Sequence, residues 1–368
     1  VKKAPDPYRI FFPLGILNAI LAVGVWYVQD LQWFTCPTIW IHSRLIAGGF
    51  LWSFITGFLM TAIPRMTGTK TANRFELSGA LALILGLTGS SWITDGRFFY
   101  GLQAILVAFL LIYGGRRILK MKKSPPVFFS HVGIAMALAL LGSYEHFKGN
   151  SFLGVHLYQM GATLLLVLGI GTRFFSFLSG LPSNFESDEP KVTHWLFHLA
   201  GLLVAILLYL AGSGFHLAYL GIFLLSLFYL FKVWKVQRPS AHPSALKLGV
   251  RTVALALPIC FLMSWLQPAF YLAWFHVVFI GGFGILTFSV ATRVTLAHGS
   301  YPIELETTSK SLRYLVIFLI LGAIFRVGYG FTQGLWKESC LHTAAMFWIF
   351  AVGSWCFSFF PKFFRLKS

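Results

Sequence analysis

The sequence predicts an all-α, polytopic integral membrane protein of about twelve transmembrane helices in three quasi-repeated four-helix units. Three observations carry that expectation. Of the 368 residues, 57% are hydrophobic and only 11% are charged, unlike the composition of a soluble domain. The apolar residues gather in runs near the ~20 residues needed to cross a hydrocarbon core. Histidines recur near the start of every fourth run.

Bounded by charged, Pro and Gly clusters, the runs lie near 10–28, 40–63, 76–93, 98–115, 126–142, 151–172, 194–211, 216–234, 248–266, 270–292, 312–330 and 340–360. Nothing between them reads as a soluble domain. Residues 1–368 are therefore taken as a single transmembrane domain, with quasi-repeats near 1–123, 124–240 and 241–368. The basic start VKKAPDPYRI leads into a full-length run without a small-residue cleavage site, so the first helix is expected to be retained. Pro64 and Pro258 are the visible hints of helix breaks.

The formal charge of +18 would point to a polyanion in a soluble protein. Here it follows the topology. Among the 29 Lys and Arg, only Arg44, Arg97, Lys148, Arg326 and Lys337 fall on the side opposite the N-terminus. The positive-inside rule then puts both termini in the cytoplasm, and no nucleic acid is needed to explain the charge.

His42, His156 and His276 open the second, sixth and tenth runs, which all point inward, so the three share a depth at the outer face. Arg65 follows His42 by 23 residues, Arg173 follows His156 by 17 and Arg293 follows His276 by 17. These arginines read equally as interface anchors. His146, His216 and His342 fall on the same outer side by the same counting. Imidazole is costly in lipid and suits iron, copper and zinc, so a ring of imidazoles at one depth points to a haem or metal site. The scarcity of intramembrane Asp and Glu disfavours Ca²⁺, Mg²⁺ and carboxylate di-iron sites. Gly49 lies two turns beyond His42 on one helix face, leaving room for a flat macrocycle or for close helix packing. Arg44, beside His42, could pair with a haem propionate or snorkel to headgroups.

A second group lies inward: His131, the i, i+4 pair His194 and His198, and His298. His242, next to Pro243, reads as solvated. The four cysteines have no C-x-x-C spacing, which argues against iron–sulfur and thiolate zinc sites. Cys36 and Cys340 fall on the outer side, where a disulfide is open to them, although sequence does not place them together.

Several stretches resemble the NnrS family of bacterial inner-membrane proteins: PYRIFFPLG, IHSRLIAGGFLWSFITGFLMTAIPRMTGT at 41–69, GIGTRFFSFLSG at 169–180, HVVFIGGFGILTFSVATRVTLAHG at 276–299 and the closing FFPKFFR. The resemblance spans most of the chain. It implies a polytopic protein that binds haem and copper and is linked to nitric oxide metabolism and resistance to nitrosative stress. Carried over by position, the family's histidines fall on His42, His146, His276 and His298. One motif departs: where the family shows W-H-x-H-E, this chain has Ile41-His42-Ser43-Arg44-Leu45, without the second histidine and the glutamate. Three four-helix units with histidines on the second, sixth and tenth spans also look like the catalytic subunits of haem–copper oxidases and nitric oxide reductases, an analogy of architecture.

The leading expectation is a haem- and copper-binding membrane protein that handles nitric oxide or another diatomic ligand near the outer face, with reduction of nitric oxide as its candidate chemistry. His42 and His276, with Arg44, are expected to hold a b-type haem, and His146 and His156 copper; His298, His216 and His342 are further candidates. His276 and His298 lie about a membrane thickness apart, too far to share one metal. Turnover would need an external electron donor and a proton path, and no Asp or Glu run supplies the latter. Two other readings stay open: a secondary transporter or metal carrier with a histidine-lined site, and a haem protein that binds nitric oxide without turnover.

Overall fold

The computed structural model describes residues 5–29, 36–122, 125–178, 191–237 and 245–364. Among these the long elements are all helices: α1 (Tyr8–Val28), α2 (Thr38–Thr67), α3 (Arg74–Ser90), α4 (Gly96–Ile118), α5 (Phe129–Phe147), α6 (151–178), α7 (Lys191–Gly212), α8 (Leu217–Val233), α9 (Ala245–Leu266), α10 (Pro268–Gly299), α11 (Lys310–Phe331) and α12 (Gly334–Phe359). Nine helices among the described residues are long and apolar enough to cross a membrane. The chain is a multi-pass membrane protein. α3, α5 and α8 also fall on expected runs but are shorter or more polar than those nine.

Local chemistry sets the helix ends. Asn73 and Glu76 form a capping box at the start of α3, each side chain 2.9 Å from the other residue's backbone nitrogen. Glu76 also takes two hydrogen bonds from Arg117, at 3.0 and 2.9 Å, and so ties the start of α3 to the end of α4. Asp95 caps α4 by accepting from the Arg97 N–H at 2.9 Å. α2 stops at Gly68, whose φ of +65° is left-handed. Within the spans, hydroxyls turn back on their own helix: Ser289 donates to the Ile285 carbonyl at 2.7 Å and Thr292 to that of Phe288 at 2.8 Å.

Expectation and structure differ at three places. α5 runs on through Gly142, Ser143 and His146 instead of ending near 142, because Gly142 lets it pack against the Tyr158 backbone of α6. Pro64 and Pro258 break nothing; both lie inside continuous helices. The irregularities are instead π-helical stretches, at Leu45–Leu51 in α2, Val155–Ala162 in α6, Phe279–Gly284 in α10 and Tyr229–Val233 in α8. A π turn fits an extra residue into a helix without breaking its ladder, and such turns gather at functional sites.

α2 and α6 are the most deeply buried spans and α11 the least. Side chains lock α12 and α4 to the inner helices. The Trp348 indole donates to the Ala19 carbonyl of α1 at 3.0 Å, and the Trp355 indole to Thr292 of α10 at 2.8 Å. The Tyr113 hydroxyl donates to the Met60 carbonyl of α2 at 2.8 Å. Buried indoles and phenols need such partners, and here each one fixes a helix position.

Candidate functional site

α2, α6 and α10 each present a histidine at the end of the bundle where they begin, followed by or enclosed in a π stretch. His42 lies in the second turn of α2, where its Nδ1 is 2.7 Å from the Ala22 carbonyl of α1 and its ring 5.2 Å from Trp26. His276 on α10 donates from Nδ1 to its own helix, to the Leu272 carbonyl at 2.6 Å. With Nδ1 bound to a carbonyl, each ring keeps its lone pair on Nε2, and neither Nε2 has a hydrogen-bond partner among the described residues. This is how a ligating histidine is held before metal arrives. The two imidazoles act electrostatically on each other, and Arg326 of α11 acts on both. His342 of α12 joins the edge of this group: its Nε2 is 3.3 Å from the Trp26 carbonyl and its ring stacks on Tyr27 at 5.3 Å.

Arg44 points elsewhere. Its Nη1 donates to the Ile93 carbonyl at 2.5 Å, its guanidinium lies 5.9 Å from the Phe99 ring, and it acts electrostatically on Tyr100 and His146. His146 stacks on Tyr100 with ring centres 4.2 Å apart, and its Nε2 is 3.0 Å from Gln159 Oε1. Gln159 in turn donates to Ser43 at 3.4 Å, which links α5, α6 and α2. Gly49 does not open a slot below His42, because the Asn18 side chain already occupies that space.

His156 faces a different group. Its Nδ1 donates to the Phe152 carbonyl at 2.8 Å, its Nε2 is 2.6 Å from the Tyr219 hydroxyl, and its ring lies 5.4 Å from Tyr271. His216 acts on it electrostatically and stacks near Tyr219, 6.4 Å between ring centres. The Nε2 atoms of His146 and His156 are taken by different residues, Gln159 and Tyr219. At the opposite end of the bundle His298 has its ring 5.8 Å from that of Tyr8, far from His276. Also at that end Ser130 bridges His131 and His198, and the remaining nitrogen of His131 bonds the Tyr229 hydroxyl. Cys36 and Cys340 are free thiols with different neighbours, Ile93 and Gly328 respectively, so the disulfide is not formed. His242 and the side chain of Arg173 lie outside the described residues.

Arg326, Tyr219, Tyr100 and Gln159 carry these environments, and the histidine pattern does not single them out. Only Arg326 leaves a trace in the sequence, as a cation inside the apolar run LVIFLILGAIFRVGYGF.

Among the described residues no three His, Cys, Asp or Glu side chains gather to hold a metal ion by themselves. A bare copper ion would therefore lack ligands at His146 and His156, where the Nε2 atoms are already engaged, and the residues there do not fit it. His42 and His276, each with Nδ1 on a carbonyl and Nε2 unengaged among the described residues, are the residues here that could hold a haem, which brings its own four nitrogens.

These features define a helical, multi-pass membrane protein with a paired-imidazole site at one end of its bundle. The family model for NnrS protein matches residues 4–367, and the chain belongs to the NnrS family. It is thus a nitric-oxide-related membrane protein. No curated protein matches its sequence.

Proposed function

We propose that the chain binds a b-type haem between His42 and His276 near the outer face of the bacterial inner membrane and uses it to bind nitric oxide. The observation that carries this reading is the matched preparation of the two imidazoles, each tied by Nδ1 to a carbonyl, each with Nε2 free, and each within the field of Arg326. When bound, the haem would supply an iron able to exchange electrons and to take up a diatomic ligand. The Ala22 and Leu272 carbonyls orient the two rings. Arg326 supplies the positive charge that a propionate requires, a role for which Arg44, held by the Ile93 carbonyl, is less suited. Trp26, 5.2 Å from the His42 ring, packs against the site.

The charge distribution supports cytoplasmic termini. The three-unit reading is supported by the π stretches on α2, α6 and α10 and by the i−4 carbonyl bonds that His156 and His276 share. Reduction of nitric oxide would add demands for electrons and protons from outside this site; binding needs neither and is the reading the geometry supports best. A transporter gains no support, since α2, α6 and α10 run unbroken through their π stretches.

The test is absorbance spectroscopy of the purified protein, oxidised, reduced and reduced with nitric oxide, together with iron and copper analysis. A Soret band that shifts with nitric oxide is expected, as is loss of haem in His42→Ala and in His276→Ala but not in His146→Ala. Absence of a Soret band in protein made with ample haem would overturn the reading.

A further inference from the structure

Three of the four helices with π stretches, α2, α6 and α10, border a space that the paired-histidine site does not use. A cavity of about 80 Å³, open on one side, lies between α2, α6 and α10, walled by residues such as Leu51, Phe58, Leu166, Val167, Leu286 and Val290. Among the described residues no charged side chain lines it, and the hydroxyls of Thr163 and Thr287 are its only side-chain polar groups. Its rim coincides with the ends of the π stretches: Leu51 closes the one in α2, Thr163 follows the one in α6, and Leu286 lies two residues beyond the one in α10. An inserted residue in each helix shifts the phase of its side chains, so three helices that are out of phase at the same level do not interdigitate fully.

We propose that this cavity is a binding site for a small, uncharged, apolar molecule of the size of a diatomic gas. Its walls decide the chemistry. A charged or strongly hydrogen-bonding molecule would leave its groups unpaired there, and a charge would be the more costly to place. Water finds few partners for the same reason, and apolar cavities in proteins take up xenon or benzene; an enclosed benchmark cavity holds roughly 150 Å³. At about 80 Å³ the space suits a few heavy atoms rather than a lipid chain. On α10 the way from the rim toward His276 passes Gly281, which is buried yet has no neighbouring atom within 4 Å of where a Cβ would stand. The cavity therefore stores a gas already dissolved in the bilayer beside the helices that carry His42 and His276. That its natural occupant is nitric oxide rests on the function proposed above; the site itself rests on its walls and volume.

Xenon tests it without reference to haem. Full-length protein in nanodiscs is titrated with dissolved xenon and read by ¹²⁹Xe NMR, with xenon-pressurised crystals locating the atom. One saturable site between α2, α6 and α10 is expected, weakened at least tenfold in Val290→Phe, and independently in Ile55→Phe, a wall residue on α2, should the first variant fold poorly. No saturable xenon, xenon binding unchanged in both variants, or an acyl chain seated in the cavity would overturn the proposal. The haem reading fails separately, on the Soret band.

Discussion

His156 Nε2 and the Tyr219 hydroxyl oxygen stand 2.6 Å apart while His156 Nδ1 donates to the Phe152 carbonyl, so this imidazole spends both of its nitrogens on the protein. A fully satisfied buried imidazole is a packing element. Tyr219→Phe should leave Nε2 unpaired and cost about 1–3 kcal/mol, seen as a lower unfolding temperature in detergent. His156→Ala should destabilise the fold while iron and copper content per chain stays at the wild-type value. Loss of either metal from His156→Ala would return this residue to the ligand set.

The depth of the histidines was legible in the sequence, and their azimuth was not. Charge bias and run length place His42, His146, His156 and His276 near one face; in the structure His146 bonds Gln159, which reaches Ser43 beside His42, and His156 packs on Phe275 beside His276. Which of them meet depends on helix rotation, and π turns alter that rotation where a 3.6-residue count cannot follow it. His146 and His156 thus share a level and point into separate groups. Arg326 shows the opposite failure. Counting cations by side files it with loop residues, yet it acts on both His42 and His276 from within α11.

Gln103 is fully buried on α4, and neither its Oε1 nor its Nε2 has a hydrogen-bond partner among the described residues. An amide in that position costs more than a hydrocarbon of similar shape. Gln103→Leu should therefore raise stability by about 1–3 kcal/mol, measured as a higher unfolding temperature in the same detergent. A lower temperature would mean that bound water satisfies the amide and that the wall between α2 and α4 is wet.

Gly142 and Gly281 should respond oppositely to alanine. A Cβ on Gly142 would lie 2.5 Å from the Tyr158 backbone nitrogen and 2.9 Å from its Cα, atoms that move only if α5 and α6 part. Gly142→Ala should cost a few kcal/mol, about the range for overpacking, and loosen the stack of His146 on Tyr100. Gly281→Ala meets open space and gains helix propensity, up to about 1 kcal/mol. Thermal unfolding of the two variants side by side checks the contrast, and equal losses in both would contradict it.

Arg293 and Glu306 form a pair whose response to pH has a definite sign. Glu306, in the one-turn helix Leu305–Thr308 outside the spans, is buried; its Oε2 accepts from Arg293 at 2.8 Å and its Oε1 has no partner among the described residues. Burial pushes this carboxyl above its ordinary range, and the arginine opposes that rise without cancelling it. A raised folded value means that the folded chain favours the protonated form, so the stabilisation is complete below about 4.3 and is lost as pH rises through the folded value. Arg293→Gln removes the opposing charge and leaves a carboxylate buried alone, which costs on the order of 3–5 kcal/mol once it ionises. The gap in unfolding temperature between wild type and Arg293→Gln should therefore be small in mild acid and widen toward neutral pH. Adding Glu306→Gln to Arg293→Gln should flatten that dependence, because no carboxyl is left to ionise. A gap that stays constant with pH would show that Arg293 stabilises the chain through its packing alone.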